Sequence, residues 1–169
     1  MREQQITVLT AQGVARRDGG AITDQGGTVD DPYHLERFVA AQEADDAYGA
    51  ALAELRRGRK TSHWMWFVFP QLAGLGQSAM SRRFAISSLE EATAYSRNPV
   101  LGPRLLECVR IVLETERRSA REIFGAVDAM KLRSSMTLFM RAVPEEPGFR
   151  SVLDRFFDGH PDPATDQRL

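Results

Sequence analysis

Apolar residues recur at helical spacing through most of this 169-residue chain, and helix-capping residues bound most of these stretches. Asp31-Pro32 supplies a capping residue and then a proline, which suits a first helical turn, and Gly58 offers a stop. Residues 88–91 and 119–122 have the spacing of a capping box. Strand-like alternation is nearly absent. The pattern predicts an all-α protein of about six or seven helices.

Two of the predicted helices have well-marked ends. The apolar face that begins after Asp31-Pro32 extends to Leu55, which predicts one helix that ends at Gly58. A second predicted helix begins at Asp128 and ends before Pro144.

The ends of the chain differ from its middle. The first 30 or so residues hold five glycines and few apolar anchors, so they would bury too little surface to offset their ordering entropy. We therefore expect residues 1–30 to form a flexible tail, residues 31–159 a single helical domain, and residues 160–169 a C-terminal tail.

Composition narrows the function classes. The net charge of −1 argues against nucleic acid as a dominant partner, and no apolar run approaches the roughly 18 residues of a membrane span. Cys108 is the single cysteine, which excludes an internal disulfide, and three histidines offer little for a metal. We expect a cytoplasmic protein with no metal and no cofactor.

The most unusual segment is the aromatic block His63-Trp64-Met65-Trp66-Phe67-Val68-Phe69. The apolar run from Trp64 to Pro70 predicts burial on all sides. Polar residues frame it: Arg59 and Lys60 come before it and Gln71 follows. Polar groups at the edge of a buried aromatic block either cap the chain or line a pocket.

Lysine is rare in this chain. Lysine and arginine together number 22, and only Lys60 and Lys131 are lysines. Both lie beside unusual polar segments, and a compact ammonium differs chemically from a planar guanidinium.

Around the second lysine, Asp128, Lys131 and Ser135 share one helical face, and Ser134 and Thr137 lie on a neighbouring face. Two interpretations stay open. These groups form a solvated helix surface, or they meet Lys60 and His63 across the core in one polar pocket.

From Asp31 to about Phe157 the chain resembles the bacterial family catalogued as domain of unknown function 1810. The resemblance is carried by the aromatic block, by Phe69-Pro70-Gln71, and by Asp128, Lys131-Leu132 and residues 134–139. It implies a mostly helical fold and no established activity. Members often carry the label calpastatin, but that inhibitor is disordered and repetitive, unlike this chain.

A looser similarity is to the NADAR family of small helical proteins, which act on ADP-ribose-type N-glycosidic linkages. It is an analogy in residue types beside aromatic rings, with no aligned catalytic motif.

These observations lead to two hypotheses. In the first, the chain binds or processes a small anionic ligand, nucleotide-like or ADP-ribose-like, in an aromatic-lined polar pocket. The candidate catalytic residues are His63, Asp128 and Lys131, and the candidate ligand-binding residues are Arg59, Lys60, Trp64, Trp66, Gln71, Ser134, Ser135 and Thr137. Asp128 is the carboxylate that ribosidic-bond hydrolysis would need.

The alternative is a non-catalytic interaction module whose polar motifs are structural. Whether the chain is an enzyme, and its oligomeric state, stay open.

Overall fold

A computed structural model of the protein describes residues 31–169. Within this range the chain is helical, which confirms the all-α prediction, and an isolated bridge between Leu72 and Ile86 is its only β pairing. The flexible tail expected before residue 31 lies outside the described residues. The helices are α1 (Glu36–Glu43), α2 (Ala47–Arg56), α3 (Met65–Val68), α4 (Ala79–Arg83), α5 (Leu89–Arg97), α6 (Leu101–Glu114), α7 (Ala120–Ala142), α8 (Pro147–Phe156) and α9 (Pro163–Asp166).

A chain of aromatic rings joins the main helices through the core. Phe38 of α1 lies 5.0 Å from Tyr95 of α5, measured between ring centroids. Tyr95 lies 5.4 Å from Phe139 of α7, and Phe139 lies 5.5 Å from Phe149 of α8. Each of these buried side chains contributes about 1.5–3 kcal/mol to the stability of the fold. Three of the helices, α3, α4 and α9, are single short turns, which accounts for the larger number of helices than predicted.

The helix predicted from Asp31 to Gly58 is interrupted. Asp31 caps the chain by accepting hydrogen bonds from the backbone N–H groups of Leu35 and Glu36, and α1 begins there. A 3₁₀ turn at Ala44–Asp46 then separates α1 from α2, with Asp45 and Asp46 both in the left-handed region. Aspartate is one of the few residues that adopts this conformation readily, so the break occurs without glycine or proline. Gly58 follows α2 with a φ of 68°, as a helix stop requires.

Helix α7 also contains a break. Its first turn carries the predicted capping box, in which Ser119 and Glu122 bond each other's backbone N–H. Gly125 then adopts a φ of 78° and a ψ of 167°, a conformation that is essentially restricted to glycine. The segment after Gly125 runs on to Ala142, and Asp128 therefore lies in its first turn, close to the helix start predicted for it.

The last ten residues contain a short helix, α9, where the sequence predicts a tail. Thr165 is buried, and Arg141 of α7 makes an ion pair with Asp166 at 3.0 Å. Among the described residues, no helix is both long and apolar enough to cross a membrane.

Candidate functional site

Both lysines of the chain meet at one carboxylate. The ammonium of Lys60 lies 2.7 Å from Oδ2 of Asp128, and the ammonium of Lys131 lies 2.8 Å from Oδ1. Each ammonium also lies over an indole ring, Lys60 at 5.1 Å from Trp64 and Lys131 at 4.7 Å from Trp66. We call Lys60, Asp128, Lys131 and Trp66 the lysine cluster. The structure thus brings together two sequence segments that a single polar pocket would require.

The chain positions Lys60 rigidly. Its backbone N–H donates to the carbonyl of Ile123, just before the α7 break, at 2.7 Å. Its ammonium donates to the carbonyl of Ser62 at 2.6 Å as well as to Asp128. The ammonium therefore has two acceptors for its three N–H bonds, and the Trp64 ring lies beside it. Lys60 is therefore a bridge between the loop after α2 and the second segment of α7.

The ammonium of Lys131 makes fewer hydrogen bonds than that of Lys60. Among residues 31–169 its ammonium has one hydrogen-bond acceptor, Asp128, and its side chain is 20% exposed, against 8% for Lys60. Two further hydrogen-bond donors near Lys131 have no acceptor. The indole Nε1 of Trp66 and the hydroxyl of Ser135, one helical turn after Lys131, are buried and have no partner within the described structure. Buried polar groups are almost always paired, so unpaired donors at this one place need an explanation.

The carboxyl group at the centre of the cluster is ionised. Burial acts to raise its pKa, but hydrogen bonds from Lys131 and then Lys60 outweigh that effect and hold the pKa of Asp128 below its ordinary value. A carboxylate in this state does not donate a proton at neutral pH. It can orient a cationic group or stabilise positive charge that develops on a ligand.

A second carboxylate fixes the aromatic block next to the cluster. Glu54, buried on α2, accepts hydrogen bonds from the backbone N–H and hydroxyl groups of Thr61 and Ser62. It also accepts the indole N–H of Trp64 at 2.8 Å. Burial again acts to raise the pKa, but these hydrogen bonds lower the pKa of Glu54 from 4.5 to about 2. Glu54 therefore stabilises the loop that carries Lys60 and Trp64.

His63 points elsewhere. It lines a groove of about 500 Å³ between the 3₁₀ turn, α2 and α4, together with Trp64, Phe67, Arg83 and several alanines. Arg59 is exposed, and Gln71 is half-buried with its backbone carbonyl paired to the N–H of Ile86. No side-chain contact joins these three residues to the lysine cluster among the described contacts.

Ser134 and Thr137 attach the C-terminal segment to α7. The hydroxyl of Ser134 donates to Asp162 at 2.9 Å, and the hydroxyl of Thr137 accepts the backbone N–H of Asp162 at 2.8 Å. Asp162 in turn caps α9 by accepting from Thr165. These contacts give both residues a structural part, and their assignment to ligand binding stays a prediction.

Sequence reasoning missed Glu54 and Gly125. A signal for Glu54 was present, because it falls between Ala51 and Leu55 on the apolar face of its helix, where an unpaired carboxylate would be costly. Gly125 lies three residues before Asp128, and its glycine-specific conformation starts the helical segment that carries the cluster. Among residues 31–169, no three His, Cys, Asp or Glu side chains are grouped so that they could hold a metal ion.

Comparison with known proteins places these features in a family. The crystal structure of the conserved hypothetical protein Rv1873 from Mycobacterium tuberculosis is similar, with a TM-score of 0.80 and 50% sequence identity. The match covers 82% of this chain and 98% of that one. No curated protein matches the chain. The family described as a protein of unknown function (DUF1810) matches residues 32–169, which confirms the resemblance seen in the sequence, and the chain belongs to that family.

Proposed function

We propose that the chain binds a small anionic ligand, nucleotide-like or ADP-ribose-like, at the lysine cluster. The observation that carries this proposal is the convergence of both lysines, in a chain whose other 20 basic residues are arginines, on the single carboxylate of Asp128. Two ammonium groups against one carboxylate leave an excess of one positive charge within the cluster. A partly desolvated positive charge attracts an anion more strongly than a solvated one does.

The hydrogen-bond donors without an acceptor in and beside the lysine cluster also favour an anionic ligand. The indole N–H of Trp66 only donates, and so does the ammonium of Lys131, while the Ser135 hydroxyl is free to donate. The acceptor in the cluster, Asp128, already holds two ammonium groups. A ligand that satisfies the remaining groups must be rich in acceptors, as phosphate and carboxylate groups are. The indole of Trp66 adds an aromatic surface for a ring.

The ionised Asp128 extends the proposal towards chemistry. A carboxylate beside a bound ribose would stabilise positive charge that develops at the anomeric carbon, as bond cleavage there requires. The two lysines would meanwhile hold the negatively charged part of the same ligand. We expect this activity in the cytoplasm, where a free thiol such as that of Cys108 stays reduced.

One observation favours the alternative, a structural polar network, for part of the cluster. The ammonium of Lys60 has two described acceptors, against one for Lys131, and Glu54 uses its oxygens to hold the adjacent loop. We therefore assign Lys60 to positioning and Lys131 to ligand contact.

Thermal unfolding with ADP-ribose, nicotinamide mononucleotide and pyrophosphate tests the proposal. At a hundredfold excess over Kd, a ligand that binds the folded state adds about 2.7 kcal/mol, a rise of roughly 5–10 °C in Tm for a chain of this size. Lys131→Met should lose this rise, measured against its own unliganded Tm, and Lys131→Arg should keep part of it. Fluorescence of Trp66 in a Trp64→Phe background should change over the same concentrations.

Arg110→Met is the matched control, because Arg110 also forms an ion pair on a helix but is 59% exposed and lies outside the lysine cluster. It should show the full rise. The proposal fails if none of the three compounds raises the Tm of the wild-type protein, or if Lys131→Met shows the same rise as wild type.

A further inference from the structure

A second place in the molecule holds a buried hydroxyl without a partner. The Oγ of Ser96, in the last turn of α5, is shielded from solvent and has no hydrogen-bond partner within residues 31–169. A helical serine usually bonds the carbonyl one turn back, and this one does not. Leaving a buried polar group unpaired costs stability, so native proteins rarely keep one without a reason.

Ser96 is one of the residues that line a cavity between α5, α6 and α8. This cavity has a volume of about 190 Å³, and its apolar wall is formed by Leu105, Val143 and Phe149. Gly102 also lines it, and at this glycine α6 approaches the backbone carbonyl of Ser96 too closely for any larger residue. A dry apolar cavity of roughly 150 Å³ is already large enough to hold benzene, so this one has room for a substituted ring.

Charged residues at the mouth restrict the occupant further. Two glutamates, Glu145 and Glu146, and one arginine, Arg97, line the mouth, so its charged side chains carry a net charge of −1. One oxygen of Glu146 caps α8 by accepting the backbone N–H of Gly148 at 2.9 Å, which fixes that carboxylate in place. An anionic compound is therefore disfavoured at this entrance. Leu106 is 38% exposed at the same edge and extends the apolar surface outward.

We infer that the α5–α8 cavity binds a small aromatic compound that carries one hydrogen-bonding group and no negative charge. The ring fills the apolar part of the cavity, and the polar substituent pairs with the hydroxyl of Ser96. A phenol suits both requirements, because its hydroxyl donates and accepts. This site is separate from the lysine cluster in its lining residues and in ligand chemistry.

Fluorine NMR with 4-fluorophenol tests the inference on the full-length protein. Saturable binding is expected, with competition by phenol and at least tenfold weaker competition by benzoate. Ser96→Ala removes one hydrogen bond and should weaken binding about tenfold. Ser96→Leu fills the cavity and should abolish binding, with circular dichroism as the check that the variant folds.

Ser151→Ala, a change of the same kind at an exposed hydroxyl on α8, should leave the affinity unchanged. Lys131→Met should also leave it unchanged, which separates this site from the proposed function. The inference is overturned if wild-type protein shows no saturable binding, if benzoate competes as well as phenol, or if Ser96→Ala binds with wild-type affinity.

Discussion

The ammonium of Lys60 lies 2.7 Å from a carboxylate oxygen of Asp128 and thereby ties the loop after α2 to the second segment of α7. Their side chains are 8% and 19% exposed, so the pair is shielded from water on most sides. Because Lys131 binds the other oxygen, Asp128 is the only described link between two ammonium groups. The stability of this region therefore depends more on Asp128 than on either lysine.

Asp128→Asn should be strongly destabilising. The change removes the negative charge that compensates Lys60 and Lys131 and leaves two positive charges close together. Removing one partner of a buried ion pair costs about 3–5 kcal/mol. Urea unfolding at pH 7 measures the loss. Lys131→Met should cost less, because Lys60 still compensates Asp128.

Glu114→Gln is the comparison for an exposed pair. Glu114 and Arg110 approach to 2.6 Å, but both side chains are 59% exposed. Its loss should be under about 1 kcal/mol, as for other surface ion pairs. Equal losses for Glu114→Gln and Asp128→Asn would contradict a shielded lysine cluster.

The carboxylate of Glu54 should make the free energy of unfolding depend on pH. Its pKa falls from 4.5 to about 2 on folding, so the contribution is complete above about pH 5 and is lost as the pH falls from 4.5 towards 2. Glu54→Gln should be less stable than wild type at pH 7, because an amide NH2 replaces one of the carboxylate oxygens. Oε2 of Glu54 accepts the N–H groups of Thr61, Ser62 and Trp64, and a buried donor left unpaired costs about 1–3 kcal/mol. The difference between the two proteins should narrow between pH 5 and pH 3.

Urea unfolding at pH 7, 5, 4 and 3 provides these values. Glu36→Gln is the control, because Glu36 is an exposed glutamate whose side chain has no described hydrogen bond. A stability difference between wild type and Glu54→Gln that stays constant across this pH range would show that the Glu54 carboxylate is not the group that titrates.

Local signals account for the parts of the fold that the sequence predicted well. Ser88 and Ser119 cap the helices expected of them, and Gly58 has the positive φ of a helix stop, because each signal acts within one turn. The break between α1 and α2 could not be predicted in this way. Asp45 and Asp46 are exposed and adopt left-handed conformations that no helix-stop signal in the neighbouring residues marks.

Gly125→Ala should destabilise the protein without any steric clash. A Cβ at this position would have no atom within 4 Å, so the whole effect is the cost of holding alanine at a φ of 78° and a ψ of 167°. That cost is about 1–3 kcal/mol. Because the break precedes Asp128, the variant should also lose part of the ligand-induced rise in Tm.

Urea unfolding of Gly125→Ala and of Gly125→Asn separates this conformation from an ordinary left-handed one. Asparagine relieves strain in the left-handed helical region but not at a ψ near 170°. Both variants should therefore lose similar amounts of stability. Wild-type stability in either variant would refute the requirement for glycine.

The site was predictable in composition but not in geometry. The scarcity of lysine sets Lys60 and Lys131 apart in the sequence, and helical spacing places Asp128 beside Lys131. Lys60 joins them through the backbone hydrogen bond from Lys60 to Ile123 and through the break at Gly125. Local spacing in the sequence does not encode either feature. His63 lines the groove near α4 together with Trp64, and no described side-chain contact joins it to the lysine cluster, although it adjoins Trp64 in sequence.

Replacement by phenylalanine should reduce stability strongly at Trp64 and little at Trp66. Trp64→Phe removes the donor to Glu54 and leaves a void in a fully packed position, with a loss of about 1.5–3 kcal/mol from the charge-assisted hydrogen bond alone. Trp66→Phe instead removes a buried N–H that has no described partner, so stability should stay within about 1 kcal/mol of wild type. Urea unfolding compares the two variants, and ligand addition should raise the Tm of Trp66→Phe less than that of wild type. A large loss of unliganded stability in Trp66→Phe would mean that its N–H is already paired, which would remove one of the donors on which the proposed ligand depends.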